Sequence, residues 1–169
     1  MRRAIVGAGV LVAVGIVAAG TYLVMLRERS FAQPIAFNHR KHIKEVGLAC
    51  PDCHLHALDG TRATIPNLSV CSTCHAEPVG SSPEEARVVA MIQQGTPIPW
   101  RKVNVIPDHV YFSHRRHTTL GKIECPVCHG EMAERVLPLR RSLVKVSMKG
   151  CVGCHDKAKV TSDCIACHR

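Results

Sequence analysis

The sequence predicts a chain with little regular structure, in which short α-helices wrap round bulky non-protein groups behind one N-terminal transmembrane helix. Three observations predict it. The 169 residues include ten Cys and eleven His but only one Trp, two Tyr and three Phe, too few large side chains to fill an ordinary apolar core. Residues 4–26 carry no charge. A block reading FNHRKHIKEVGLACPDCH over 37–54 also returns as FSHRRHTTLGKIECPVCH over 112–129, with its Phe, spaced histidines, cysteines, Pro and closing His at a constant offset of 75.

The apolar run AIVGAGVLVAVGIVAAGTYLVML is 23 residues long. As a helix it extends about 34 Å, against a hydrocarbon core of ~30 Å. A cleaved signal peptide is the alternative, with Ala18-Ala19-Gly20 as small residues for a cut. The run exceeds the usual apolar stretch of such peptides, about 7–15 residues, and so reads as a retained anchor. The expected organisation is a membrane anchor over 1–29 and one domain over 30–169, with internal repeats at 34–78 and 107–169.

All ten cysteines fall in C-x-x-C pairs, and each pair is followed at once by a histidine. The five are Cys50/Cys53/His54, Cys71/Cys74/His75, Cys125/Cys128/His129, Cys151/Cys154/His155 and Cys164/Cys167/His168. Zinc would spend the paired cysteines on tetrahedral closure and has no use for a histidine joined to every pair. A disulfide framework has none either. C-x-x-C-H is the attachment motif of c-type haem: two thioethers hold the porphyrin edge and the adjacent histidine lies under the iron. Five covalently bound haem c groups are expected, with no cysteine left over. They also account for the missing aromatics, because each porphyrin is a large apolar body. Only eight residues separate His155 from Cys164, so the last two groups are expected to be neighbours.

The formal charge of +9 suggests a nucleic-acid partner at first sight. Five haems bring about ten propionate charges and leave the loaded protein near −1, which removes that reading. Since c-type haem is attached outside the cytoplasm, the expected placement is single-pass in the cytoplasmic membrane. The N-terminus is then inside and the haem domain on the periplasmic side.

Five six-coordinate irons need ten axial ligands. The motifs supply His54, His75, His129, His155 and His168, leaving His39, His42, His56, His109, His114 and His117. His39/His42 and His114/His117 share i, i+3 spacing, which places both rings of a pair on one helical face. Each F-x-H-x-x-H therefore reads as a donor pair whose imidazoles serve two different haems. This balances the first repeat and leaves the second one ligand short. Met148, three residues before Cys151, is the first candidate for the missing ligand; His109 and His56 are the alternatives, and an open iron is the last.

Between the repeats, Ser82-Pro83-Glu84-Glu85 reads as a capping box that starts a helix, and Gly95 can close it. Thr96-Pro97-Ile98-Pro99-Trp100 must then be extended. Its tryptophan is expected to cover a haem face or a partner surface.

With Phe37, His39 and His42, and again Phe112, His114 and His117, ahead of C-x-x-C-H, the chain resembles the class III multihaem cytochromes c. The resemblance implies bis-histidine, low-spin haems. Read with the anchor and five haem motifs, the stretch IPWRKVNVIPDHVYFSHRRH is similar to the pentahaem cytochrome subunit of alternative complex III and related quinone-linked membrane complexes. That second resemblance implies an electron-transfer subunit, not a catalyst. Its implied partners are an iron–sulfur or molybdopterin-like subunit, a polytopic quinone-binding subunit and a monohaem cytochrome c. Electrons would pass from quinol through the haems towards a cytochrome c or terminal oxidase. A quinol dehydrogenase of the NapC/NrfH type is an alternative, although His56 stands where a methionine is typical there. A multihaem reductase is another, and it requires an open iron.

Overall fold

The computed structural model describes residues 12–25 and 32–168. The chain divides into two units, Met1–Ala32 and Gln33–Arg169. In the first, helix α1 covers residues 12–25, with every side chain exposed. The Thr21 hydroxyl donates back to the carbonyls of Val17 and Ala18, so this hydroxyl is satisfied by the helix's own backbone. Among the described residues no helix is long and apolar enough to cross a membrane. The ends of the predicted span, residues 4–11 and 26, lie outside the described residues.

The second unit is built from short helices: α2 (Cys50–Cys53), α3 (Leu68–His75), α4 (Pro83–Gln94), α5 (Cys125–His129), α6 (Met148–Ala158) and α7 (Cys164–Cys167). Two π-helical turns, Lys41–Glu45 and Arg116–Leu120, and a 3-10 turn, Met132–Glu134, complete it. Among the described residues there is no strand, only an isolated antiparallel bridge between Val110 and His168. Helices this short cannot persist alone, because nucleation outweighs the few bonds gained, so their contacts must hold them.

Helices α2, α3 and α4 each carry a local reason for where they start. The Asp52 carboxylate accepts from the Ala49 amide at 2.8 Å and caps α2. Asn67 caps α3 by accepting from Leu68 N at 2.9 Å. The same oxygen accepts from Ile98 N at 2.9 Å while the Asn67 amide nitrogen donates to Ile98 O at 3.1 Å, which ties the 96–100 linker to α3. Ser82 caps α4 through Glu84 N, Pro83 opens its first turn, and Gly95 closes it at φ +63°, as the sequence predicts. Glu85 departs from the predicted capping box. Its carboxylate accepts from Val79 N and Gly80 N and faces His75.

The side-chain core is minimal. Among the described residues only Ile35, Val89, Ile98 and Leu139 are buried hydrophobics. They join the start of the unit, α4, the linker and the segment after the 3-10 turn. Gln33 supports the same junction: its side-chain oxygen accepts from Arg101 N, and its amide nitrogen donates to Arg101 O and Leu139 O. Trp100 donates to Pro66 O at 2.9 Å and is partly buried, so it braces the linker against the residues before α3.

Candidate functional site

The repeated block folds the same way twice. In each copy the chain runs through a histidine pair and a π-helical turn, with Val46 N donating to Lys41 O and Gly121 N to Arg116 O. Such one-turn widenings are frequent at functional sites. Phe37 stacks on His42 with centroids 4.4 Å apart and meets His39 edge-on at 4.8 Å. Phe112 stacks on His117 at 4.7 Å and meets His114 edge-on at 4.9 Å. The phenylalanine thus holds two imidazoles in two attitudes, which lets neighbours in sequence face different partners.

Those partners are the motif histidines. His42 faces His75 with ring centroids 6.2 Å apart. His114 faces His129 at 6.3 Å with planes 4° apart, and His117 faces His155 at 6.1 Å. His109 stacks on His168 at 5.5 Å. His39 lies beside His54, close enough for their charges to oppose each other. Two imidazoles that hold one iron from opposite sides, each with a metal–nitrogen distance of about 2 Å, have centroids about 6 Å apart. The spacings of the first three pairs meet that requirement, and the fourth is slightly closer.

The ring nitrogens are arranged for the same task. Nδ1 of His54 donates to Thr64 O at 2.8 Å, that of His155 to Thr161 O at 2.6 Å and that of His42 to Asn38 O at 2.8 Å. His117 donates to Ser113 O at 2.8 Å and His114 to Thr61 O at 3.1 Å. A ring that donates from Nδ1 keeps Nε2 unprotonated, the form that ligates metal. Thr64 pays for its role with a left-handed φ of +64°, strained for a β-branched residue. Burial, with His54 and His42 adding, pushes His39 down to about 4. Burial followed by His114 and His54 lowers His129 as well. With a pKa of about 4, the His39 ring is neutral at ordinary pH. His39 Nδ1 is buried without a hydrogen-bond partner.

The cysteine pairs lie against one another. Burial and then the neighbouring Cys125 thiol raise Cys50 above the usual thiol range. Cys53 is raised by burial, then by Asp52 and Cys74. Cys128 is raised by burial, then by Cys154 and Cys151. The first four motifs therefore form a contiguous row in the order second, first, third, fourth. The two repeats meet at the first and third motifs. Across that junction His114 N donates to Thr61 O and Arg115 N to Gly60 O, while Thr118 Oγ1 donates to Ala57 O.

These residues fit haem c. Every motif places its thiols and its histidine on one short helix or at its end. Four of the motif histidines have a second imidazole facing them, and the fifth, His54, acts electrostatically on His39. The large apolar side chains around the motifs, Leu55, Leu58, Val127, Leu143, Val152 and Ile165 among them, are exposed instead of packed on each other, as a surface shaped to cover an apolar body would be.

Of the candidates for the tenth ligand, the fold brings His109 to a motif histidine. The means is long-range: Val110 bridges to His168, and Tyr111 N donates to Cys167 O at 2.8 Å. Met148 opens α6 and is 71% exposed. His56 bonds to Asp59 at 3.1 Å on an exposed turn. The signal for His109 in the sequence is its place five residues ahead of the second F-x-H-x-x-H, which by itself does not say what it meets.

A sequence model of the class III cytochrome C family matches residues 23–97, and a model described as cytochrome c7 and related cytochrome c matches residues 110–169. The chain is 40% identical over 106 residues to a protein of Nitratidesulfovibrio vulgaris (strain Hildenborough) named menaquinone reductase, multiheme cytochrome c subunit. That alignment covers 62% of this chain and 49% of the relative, so the chain spans about half the length of the curated relative it matches. Each half is thus similar to multihaem cytochromes, and the likeness implies covalently bound haem c at the motifs.

Proposed function

We propose that this chain is a pentahaem electron-transfer subunit of a quinone-linked membrane complex. It is held in the cytoplasmic membrane by its N-terminal helix, with the haem domain on the periplasmic side. Bound haem c supplies one-electron redox chemistry at its iron. The protein holds each group through two cysteines and a pair of histidines: His39/His54, His42/His75, His114/His129, His117/His155 and His109/His168. The observation that carries this reading is the pairing itself: the rings of His75, His129, His155 and His168 each face a further histidine, and His54 acts electrostatically on His39.

With His109 in this role, in place of Met148, the chain would offer ten ligands for five irons. No iron is then left open to a substrate, which argues against a multihaem reductase and for a carrier. The contiguous row of cysteine pairs supports a relay, and the eight residues between His155 and Cys164 add the fifth site to its end.

The name of the Nitratidesulfovibrio relative, a menaquinone reductase subunit, favours net flow towards menaquinone. The likeness to the cytochrome subunit of alternative complex III favours flow from quinol to a cytochrome c or oxidase. Either direction needs a quinone-binding subunit and an iron–sulfur or molybdopterin-like subunit. Purification in mild detergent tests the reading: the protein should carry five haems by intact mass and bring such subunits with it. Chemically reduced complex that is reoxidised by a menaquinone analogue would select the first direction. Reduction of the haems by the quinol alone would select the second. A chain with fewer than five haems, or one that purifies alone from membranes, would overturn the proposal.

A further inference from the structure

The histidines that face one another differ in what their outer nitrogen touches. His42, His54, His114, His117 and His155 all donate to neutral peptide carbonyls. His129 lies against the side-chain amide of Asn104 at 3.2 Å. His75 meets a carboxylate: its Nδ1 is 3.1 Å from Glu85 Oε1, with the two side chains 23% and 10% exposed. The carboxylate is fixed in place. The same oxygen accepts from Val79 N at 2.7 Å and Gly80 N at 3.1 Å. A Cβ added at Gly80 would stand 2.8 Å from Glu85 Oε2, so the turn there is shaped to let the carboxylate in.

We propose that Glu85 is a positioning residue that sets a reduction potential: by accepting the Nδ1 proton of His75 it makes the Cys71–Cys74 site the lowest in potential of the five. This rests on the reading that His75 and His42 are axial ligands. The physics has one sign throughout. A carboxylate that draws on Nδ1–H makes the imidazole a stronger donor through Nε2. Stronger donation and a nearby negative charge both favour the ferric state, so reduction is harder there than at sites backed by a neutral carbonyl. The affected site is the end of the row of four motifs. The sequence hides this role, since Glu85 stands where a capping box would use it.

The test is a spectroelectrochemical titration of the full-length holoprotein, with paramagnetic resonance of the ferric state. Glu85→Gln keeps an oxygen for Val79 N, Gly80 N and His75 Nδ1 and removes the charge. It should raise the lowest of the five midpoint potentials, leave the other four in place and alter one low-spin signal. Glu85→Asp keeps the charge but withdraws it from His75, so it should move the same component by less. Five unchanged potentials in Glu85→Gln, or a shift in Glu85→Asp as large as that in Glu85→Gln, would overturn the proposal. High-spin iron at one or more sites of the unsubstituted protein would overturn the ligation reading beneath it, and the proposal with it.

Discussion

The rings of His109 and His168 stack 5.5 Å apart with their planes 19° from parallel. The contact joins the start of the second repeat to the last cysteine pair, and the bridge from Val110 to His168 holds it in register. In the proposed function, a ring pair so placed would supply the fifth pair of histidine ligands without a thioether.

Replacing His109 by alanine should therefore convert one haem in five to the high-spin state and let it bind carbon monoxide, with all five still attached by mass. Met148→Leu should leave spin state and potentials unchanged, because Met148 is an exposed residue in the first turn of α6. A loss of one low-spin signal in Met148→Leu instead would return the methionine to the ligand set.

The two histidines of each repeat face different motifs. His39→Ala and His42→Ala should each convert one haem to high spin, and the double substitution two. Paramagnetic resonance integrated against the total haem checks the count. If the double variant converts only one, the pair serves a single iron.

Thr64 sits at φ +64°, where a β-branched side chain is strained by about 1–2 kcal/mol. Asparagine tolerates that conformation and leaves the carbonyl that binds His54 in place. Thr64→Asn should raise stability by about 1 kcal/mol in denaturant unfolding, with the haem spectrum unchanged.

Glu84 accepts from the Ala36 amide at 2.6 Å and pairs with Arg87 at 3.0 Å. The Ala36 amide, more than Arg87, holds its pKa below the ordinary value of 4.5. A group depressed in the folded state contributes stability that is fully present above the unfolded value and is lost as pH falls through the folded one. Unfolding midpoints measured from pH 7 downward should thus fall more steeply below about pH 4.5 in the unsubstituted protein than in Glu84→Gln. Glu84→Ala, which leaves the Ala36 amide unpaired, should cost about 1 kcal/mol at neutral pH.

The cysteine pairs, their histidines and the repeated F-x-H-x-x-H were legible because covalent attachment and its nearest donors obey short, local spacings. The α4 start and stop were legible for the same reason: Ser82, Pro83 and Gly95 act within one turn of the backbone they cap. The composition alone also required a fold that does not rest on a side-chain core, and four buried hydrophobics among the described residues agree with that.

Tertiary structure decided what distant residues do to one another. Ligand spacing does not say that His109 meets His168, because that meeting depends on the start of the second repeat folding back onto the last motif through Val110 and Tyr111. Which histidine of a pair faces which motif followed from the two attitudes against Phe37 and Phe112, set by π-helical turns that an i, i+3 rule does not describe. The local rule for Glu85 lost to a longer-range one. A carboxylate can cap its own helix or serve the 79–80 amides and His75, and the approach of α3 to α4 settled the competition in favour of His75. Local spacing determines which groups are offered, and the closure of the chain over its distant segments determines which of them meet.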